Sequence, residues 1–276
     1  AASDVYKRQE QRADFLAKHY WDNVNFADTN YIHHPEVTEQ AWADYCDLLN
    51  HVPLETAQQA MRNVIDRTNV DKKVFTYITD LADKYLYDPN SPMRNEEFYI
   101  PVLEAMIASP VLDETEKIRP QARLKLAQKN RIGTKALNFT YTLASGAQGS
   151  LYQLKAEYLL LFINNPGCQA CTETIEGLKN APIINQLLQE KKLVLLSIYP
   201  DEELDEWKKH LSEFPNEWIN GYDKKFTIKE EQVYDLKAIP TLYLLDKDKT
   251  VLLKDATAPA IDCLLYTSDA ADDRIS

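Results

Sequence analysis

The sequence predicts two domains in series, an all-α domain and then an α/β domain built on a mixed central sheet, so the chain is α+β overall. Three observations carry this. From Glu10 to about Gln128 apolar residues recur at three and four, as in Ala60 and Val64 or in Phe75, Ile78, Leu81 and Tyr85, which is the spacing of one helix face. After Arg131-Ile132-Gly133 the pattern changes to short apolar runs separated by helical stretches. Within that second part, Cys168-Gln169-Ala170-Cys171 directly follows the apolar run 158–163 and precedes a helix-patterned stretch.

In the first domain the periodicity places helices near 12–20, 38–50, 54–67, 72–87, 96–108 and 115–128. Proline and asparagine punctuate the joins at His34-Pro35, Val52-Pro53, Asp88-Pro89-Asn90 and Ser109-Pro110. Thr38-Glu39-Gln40-Ala41 and Asp113-Glu114-Thr115-Glu116 have the form of helix starts. In the second domain strands are expected at 137–142, 158–163, 193–199, 217–220, 241–245 and 251–254. Helices are expected at 172–178, 183–190, 202–213 and 229–236, and a hairpin around Asp246-Lys247-Asp248-Lys249 closes the run. Strands that first alternate with helices and then end in a hairpin make a sheet of mixed direction.

The dithiol motif sits where redox chemistry is done. A buried strand delivers the first cysteine to a helix N-terminus, whose partial positive charge and free N–H groups favour thiolate over thiol. The second cysteine, three positions on, is within reach to close a disulfide. A zinc site is the alternative for such a pair, but there is one pair and no His-x-x-x-His partner, which favours redox. Ala238-Ile239-Pro240-Thr241 then places a proline between a helical stretch and an apolar strand, tolerated only at a strand start or a turn.

With these motifs in hand, the segment from Gly133 onward resembles the thioredoxin superfamily. It is most similar to the envelope branch of thiol-disulfide oxidoreductases related to cytochrome-maturation and peroxiredoxin-like proteins. Gly133-x-x-Ala136-x-x-Phe139-Thr140, Ser150-Leu151-x-x-Leu154 and Tyr158-Leu159-Leu160-Leu161-Phe162 match that branch's opening strand and hairpin. The resemblance implies that Cys168 is the attacking thiolate and Cys171 the resolving thiol. It implies that Pro240 is a cis-proline and that the backbone at Ile239 pairs with an extended substrate segment. Exchange would run through a mixed disulfide between Cys168 and a partner thiol. Tyr20-Trp21-Asp22-Asn23-Val24-Asn25-Phe26-Ala27-Asp28 and His34-Pro35-Glu36-Val37-Thr38 resemble a helical domain of unknown function that precedes such modules in bacterial envelope proteins.

The chain also departs from that pattern. Asn164-Asn165-Pro166-Gly167 replaces the aromatic residue usual before the first cysteine, and the carboxylate that thioredoxins bury beneath the dithiol maps onto Phe162. The pair Gln169-Ala170 matches neither strongly reducing nor strongly oxidising members, so redox poise is not legible.

Both ends resemble translations of a sequencing-library adapter: residues 1–9 and residues 263–276. Taken so, 10–128 is the helical domain and 129–262 the thioredoxin-like domain, with its closing helix cut short just after Pro259-Ala260-Ile261-Asp262. One face of the sheet is then expected to be left partly uncovered. A missing signal peptide carries no weight.

The formal net charge of −12 argues against nucleic acid or anionic lipid as partner. No apolar run reaches the roughly 18 residues of a membrane span, and with six glycines there is no phosphate-cradling loop. No cofactor and no metal is implied. His33-His34 with Asp28 or Glu36 reads as a solvated pair, Cys46 beside Trp42 and Leu49 as a core residue, and Trp207, Trp218 and Tyr222 as packing of the second domain. The acidic run 201–206 reads as a helix start. Tyr85, Tyr87, Phe98 and Tyr99 are expected to be exposed and to serve partner binding.

The function expected is a thiol-disulfide oxidoreductase of the periplasm or cell envelope, acting on protein or small-molecule thiols and disulfides through Cys168 and Cys171. A binding or scaffold module that kept the fold and lost turnover is the alternative, motivated by Phe162. A peroxide-reducing enzyme is a third reading, disfavoured by the loop Asn164-Asn165-Pro166-Gly167.

Overall fold

A computed structural model describes residues 2–32 and 34–272 of the chain. It divides into two compact units, Ala1–Gln128 and Lys129–Ser276.

The first unit is helical: α1 Ala2–His19, α2 Pro35–Leu49, α3 Leu54–Arg67, α4 Lys72–Ala82, α5 Glu96–Ala108 and α6 Glu114–Ala127. Its helix starts are chemically marked. The Asp71 carboxylate accepts from the N–H groups of Lys73 at 2.8 Å and Val74 at 3.1 Å, and Asp113 with Glu116 closes a reciprocal capping box on α6. Helix α2 begins at Pro35, ahead of the Thr38 start the sequence suggested, because proline's fixed φ suits a first turn. Instead of continuing to Tyr87, α4 gives way to a π-helical turn over Asp83–Tyr87. There Asp83 accepts from the Tyr99 hydroxyl at 2.9 Å and pairs with the Arg123 guanidinium.

Phe98 and Tyr99 are buried, and Tyr85 and Tyr87 are half-buried against the same core. The expectation that these aromatics form an exposed docking face is therefore corrected. Helix α5 packs against α3, α4 and α6 at once, so most of its circumference is apolar and Phe98 and Tyr99 lie on its buried side.

The second unit holds β1 Thr140–Leu143, β2 Gln148–Ser150, β3 Tyr158–Ile163, β4 Leu193–Tyr199, β5 Ile219–Tyr222, β6 Thr241–Asp246 and β7 Val251–Lys254. They form one sheet in the order β2-β1-β5-β4-β3-β6-β7. The pairs β3–β4 and β4–β5 are parallel, while β3–β6, β6–β7, β1–β5 and β1–β2 are antiparallel, which is the mixed sheet expected. Helices α7 Gln169–Lys179, α8 Pro182–Gln189, α9 Leu204–Lys209 and α10 Ala258–Asp272 complete the unit.

Alternation along the central strands divides their side chains between two cores. Leu160, Phe162, Leu195, Leu242 and Leu244 pack with Ile175, Leu178, Ile184 and Leu187 of α7 and α8. Leu159, Leu161, Ile163, Ile198 and Tyr243 pack on the other face with Phe139, Ile228 and Tyr234. Because both faces are covered, β3 is one unbroken apolar run rather than an alternating one.

Three expectations are corrected here. The first face is not left partly uncovered: α10 lies across it and buries Ile261 and Leu265, which are four apart on one helix face. The stretch 229–236 is not a helix but a series of turns, with Gln232 at φ 50°. The helix expected over 202–213 shortens to α9 and a 3₁₀ turn at Leu211–Glu213. Trp207 of α9 stacks on Tyr199, with centroids 6.5 Å apart and planes at 9°, and Trp218 is buried, as their reading as packing residues required.

Candidate functional site

The site forms where β3 runs out. Ile163, the last residue of β3, is paired in parallel with Ile198 of β4 and antiparallel with Thr241, the first residue of β6. The chain leaving β3 and the chain entering β6 therefore meet at one edge of the sheet, and the neighbouring parallel strand β4 ends at the same edge.

Asn164 fixes the exit. Its side chain is buried and donates to the Phe162 carbonyl at 3.2 Å and to the Ser197 hydroxyl of β4 at 2.8 Å. The chain then reverses through Gly167 at φ 70°, a left-handed conformation that glycine adopts without steric cost and that turns Cys168 toward α7. Cys168 is the N-cap residue of α7, and Cys171 lies in its first turn.

The two thiols differ in setting. Cys168 is half-buried, and its Sγ is 3.8 Å from the Ile239 carbonyl oxygen, which accepts from the thiol. Cys171 is 2 % exposed and accepts from the backbone N–H of Asn165 at 3.5 Å. Burial pushes the Cys171 thiol well above its ordinary value; the Asn165 N–H acts in the opposite direction. Both thiols are free. The peptide bond Ile239-Pro240 is cis, so the residues singled out in the sequence, Cys168, Cys171, Ile239 and Pro240, converge on this edge.

Phe162 is fully buried beside Ile175 and Trp218, so no carboxylate lies at that point of β3. A nearby acid that the sequence reading missed comes from elsewhere. Asp201, just past the end of β4, accepts from the Asn165 side-chain amide at 3.0 Å and pairs with the Lys229 ammonium. Burial alone would raise the Asp201 carboxyl; the Lys229 and Asn165 hydrogen bonds outweigh it and hold the group below its ordinary value. Asp201 thus belongs to a cleft of about 380 Å³, lined also by Asn165, Pro166, Tyr199 and Lys229, and not to the helix first assigned to it. The signal that would have found it is topological: neighbouring parallel strands end on the same side, where α/β sheets hold their sites.

Cys46 is 1 % exposed and sits among Trp42, Tyr45 and Leu49, a core position. His33 lies outside the described residues, and among those described no group of three or more His, Cys, Asp or Glu is placed to hold a metal ion. Nor is any described helix long and apolar enough to cross a membrane.

Residues 4–130 match the family model for a domain of unknown function (DUF5106), and residues 156–251 match that for a thioredoxin-like domain. Among solved structures, a thioredoxin-like protein from Bacteroides caccae is 84 % identical with a TM-score of 0.92, over 94 % of this chain and 93 % of that one. The C-terminal domain of an uncharacterized protein from Bacteroides fragilis is 68 % identical over 50 % of this chain and 98 % of that one, with a TM-score of 0.49. The thioredoxin domain of a thiol-disulfide oxidoreductase from Bacteroides vulgatus is 21 % identical over 51 % of this chain and 96 % of that one, with a TM-score of 0.43. No curated protein matches the chain.

Proposed function

Because the chain belongs to a family of thioredoxin-like proteins in which a helical domain of unknown function comes first, we propose that it is a thiol-disulfide oxidoreductase of the cell envelope that works through Cys168 and Cys171. The observation that carries the reading is the placement of Cys168: half-buried at the start of α7, with the Ile239 carbonyl 3.8 Å from its sulfur and Cys171 buried behind it.

That placement suits two successive exchanges. The Cys168 thiolate attacks one sulfur of a substrate disulfide, forming a mixed disulfide while the other substrate sulfur leaves as thiolate. Cys171 then attacks the Cys168 sulfur; the Cys168–Cys171 bond forms, the bond to substrate breaks, and the leaving thiolate takes up the proton that Cys171 gives up. Two electrons pass from the dithiol to the substrate, and the reverse sequence oxidises a substrate dithiol. The half-buried backbone at Ile239 and Pro240 borders Cys168, where an extended substrate segment would lie.

A glutathione redox titration of the full chain, quenched with an alkylating mass tag and run beside Cys168→Ser, tests this. A single midpoint with a two-thiol mass shift, absent in the variant, is expected. Thiols that stay unpaired across the titration would favour the scaffold reading, for which the fully packed Phe162 is the motivating observation. The envelope location is tested by fractionating cells that express the intact gene.

A further inference from the structure

We propose that Asp201 is a positioning residue for the resolving thiol: through the Asn165 side chain it holds the Asn165 backbone N–H on Cys171 Sγ. This rests on the oxidoreductase reading above and adds a component that neither the CxxC motif nor the proline loop contains.

The contacts run in one line. Lys229 pairs with Asp201; Asp201 Oδ2 accepts from Asn165 Nδ2 at 3.0 Å; the Asn165 N–H donates to Cys171 Sγ at 3.5 Å. Each contact has a chemical reason. Asp201 sits past Pro200 at the end of β4, parallel to β3, so it reaches the turn that follows β3. That turn carries Asn165 ahead of Pro166 and Gly167; beyond the tie of Asn164 to Ser197, the Asn165 amide side chain anchors it to Asp201. With Asn165 held, its N–H has a fixed direction.

The direction matters at one step. Once Cys168 has joined a substrate, its sulfur no longer carries a hydrogen, and Cys171 must ionise in a buried position to complete the exchange. The Asn165 N–H is then the donor aimed at the developing thiolate, and a preorganised donor at a developing charge lowers the barrier. The first attack, by Cys168, does not use this contact. Other charged or titratable groups lining the same cleft are Tyr199, Glu202, Glu203, Glu206 and Lys229.

The two steps separate in single-turnover experiments with glutathione disulfide. In the Cys171→Ser background, mixed-disulfide formation reports attack alone; in the full dithiol protein, release of the second glutathione reports resolution. Asp201→Ala is expected to slow resolution about tenfold, the scale of one lost hydrogen bond to a charged group, and to move its pH profile upward. Attack should change by less than about twofold, because it does not draw on that bond. Asp201→Asn, which keeps an acceptor oxygen for Asn165, should restore most of the resolution rate. Far-ultraviolet circular dichroism and urea midpoints establish that each variant is folded. Equal slowing of both steps, an unchanged resolution step, or failure of Asp201→Asn to rescue would overturn the assignment. A parent protein that never forms its internal disulfide would instead defeat the oxidoreductase reading, so the two failures are distinguishable.

Discussion

Phe162 meets Trp218 edge to face, with ring centroids 6.2 Å apart and planes at 86°. The point of β3 where thioredoxins carry a buried acid is thus filled by an aromatic contact in a closed core. Phe162→Asp removes that ring and puts a carboxylate among Leu160, Ile175 and Trp218. The cavity alone should cost about 3–5 kcal/mol, and the uncompensated charge adds to it. Urea unfolding followed by fluorescence measures this. A loss under about 1 kcal/mol, small for a fully buried side chain, would mean the site accommodates a polar group after all.

A second prediction concerns the loop that carries Ile239 and Pro240. Lys237 is 5 % exposed at its side chain and pairs with Asp235 at 3.2 Å and with Asp255 at 3.5 Å, tying this loop to the chain just past β7. Lys237→Met leaves two nearly buried carboxylates without that cation. Breaking a buried ion pair from one side typically costs about 3–5 kcal/mol. Denaturant unfolding should show that loss, and mixed-disulfide formation should slow as the Ile239 carbonyl moves from Cys168. Stability equal to the parent's would show that the cluster is not structurally important.

The pattern of success in reading the sequence has physical causes. Strands β3 and β4 have the bounds expected at 158–163 and 193–199 because continuous apolar runs in covered strands are hard to mistake, and the edge strand β7 falls at 251–254 as expected from the turn residues ahead of it. The placement of Cys168 and Cys171 at a helix start after β3 is legible from their spacing, and that of Pro240 from its position ahead of β6. The stretch 229–236 misled because Val233 and Leu236 have helical spacing. Long-range contacts override it: the Tyr234 hydroxyl donates to the Leu137 carbonyl at 2.7 Å, and its ring meets Phe139 and Tyr243 edge-on. Asp201 was invisible as a site residue because its role depends on β3 and β4 lying side by side in parallel, which periodicity along the chain does not encode.

The closing helix supplies a third prediction. Asp262 Oδ1 accepts from the backbone N–H groups of Ile183 and Ile184, both at 2.9 Å, so α10 caps α8 from outside its own sequence. Ile261, fully buried, packs beside that cap. Asp262→Ala should cost about 1 kcal/mol, as for lost helix caps, and Ile261→Ala about 2–5 kcal/mol, as for buried aliphatics. Calorimetry on the full chain would test the pair. If both variants melted with the parent, α10 would not be docked as described.

The last prediction is a pH dependence in the helical unit. Burial among Trp42, Tyr45 and Leu49 pushes the Cys46 thiol from 9.0 up to about 12. The folded value lies above the unfolded one, so the neutral thiol's contribution is fully present below about pH 9. It drains away as pH rises toward 12, because the unfolded chain ionises first. Between pH 8 and 10 the loss should be about 1 kcal/mol, the scale of one proton linked over one pH unit. Tyr45 is also raised, from an ordinary value of 10.0, so pH 10 marks the upper end of a window dominated by thiols. Cys46→Val cannot ionise and nearly conserves volume. Urea midpoints of parent and variant, both kept reduced, should therefore diverge between pH 8 and 10, with the parent losing more. Any contribution from Cys171 is common to both proteins and cancels in the difference. Parallel curves would show that Cys46 ionises as readily in the fold as in the unfolded chain, and would contradict its burial.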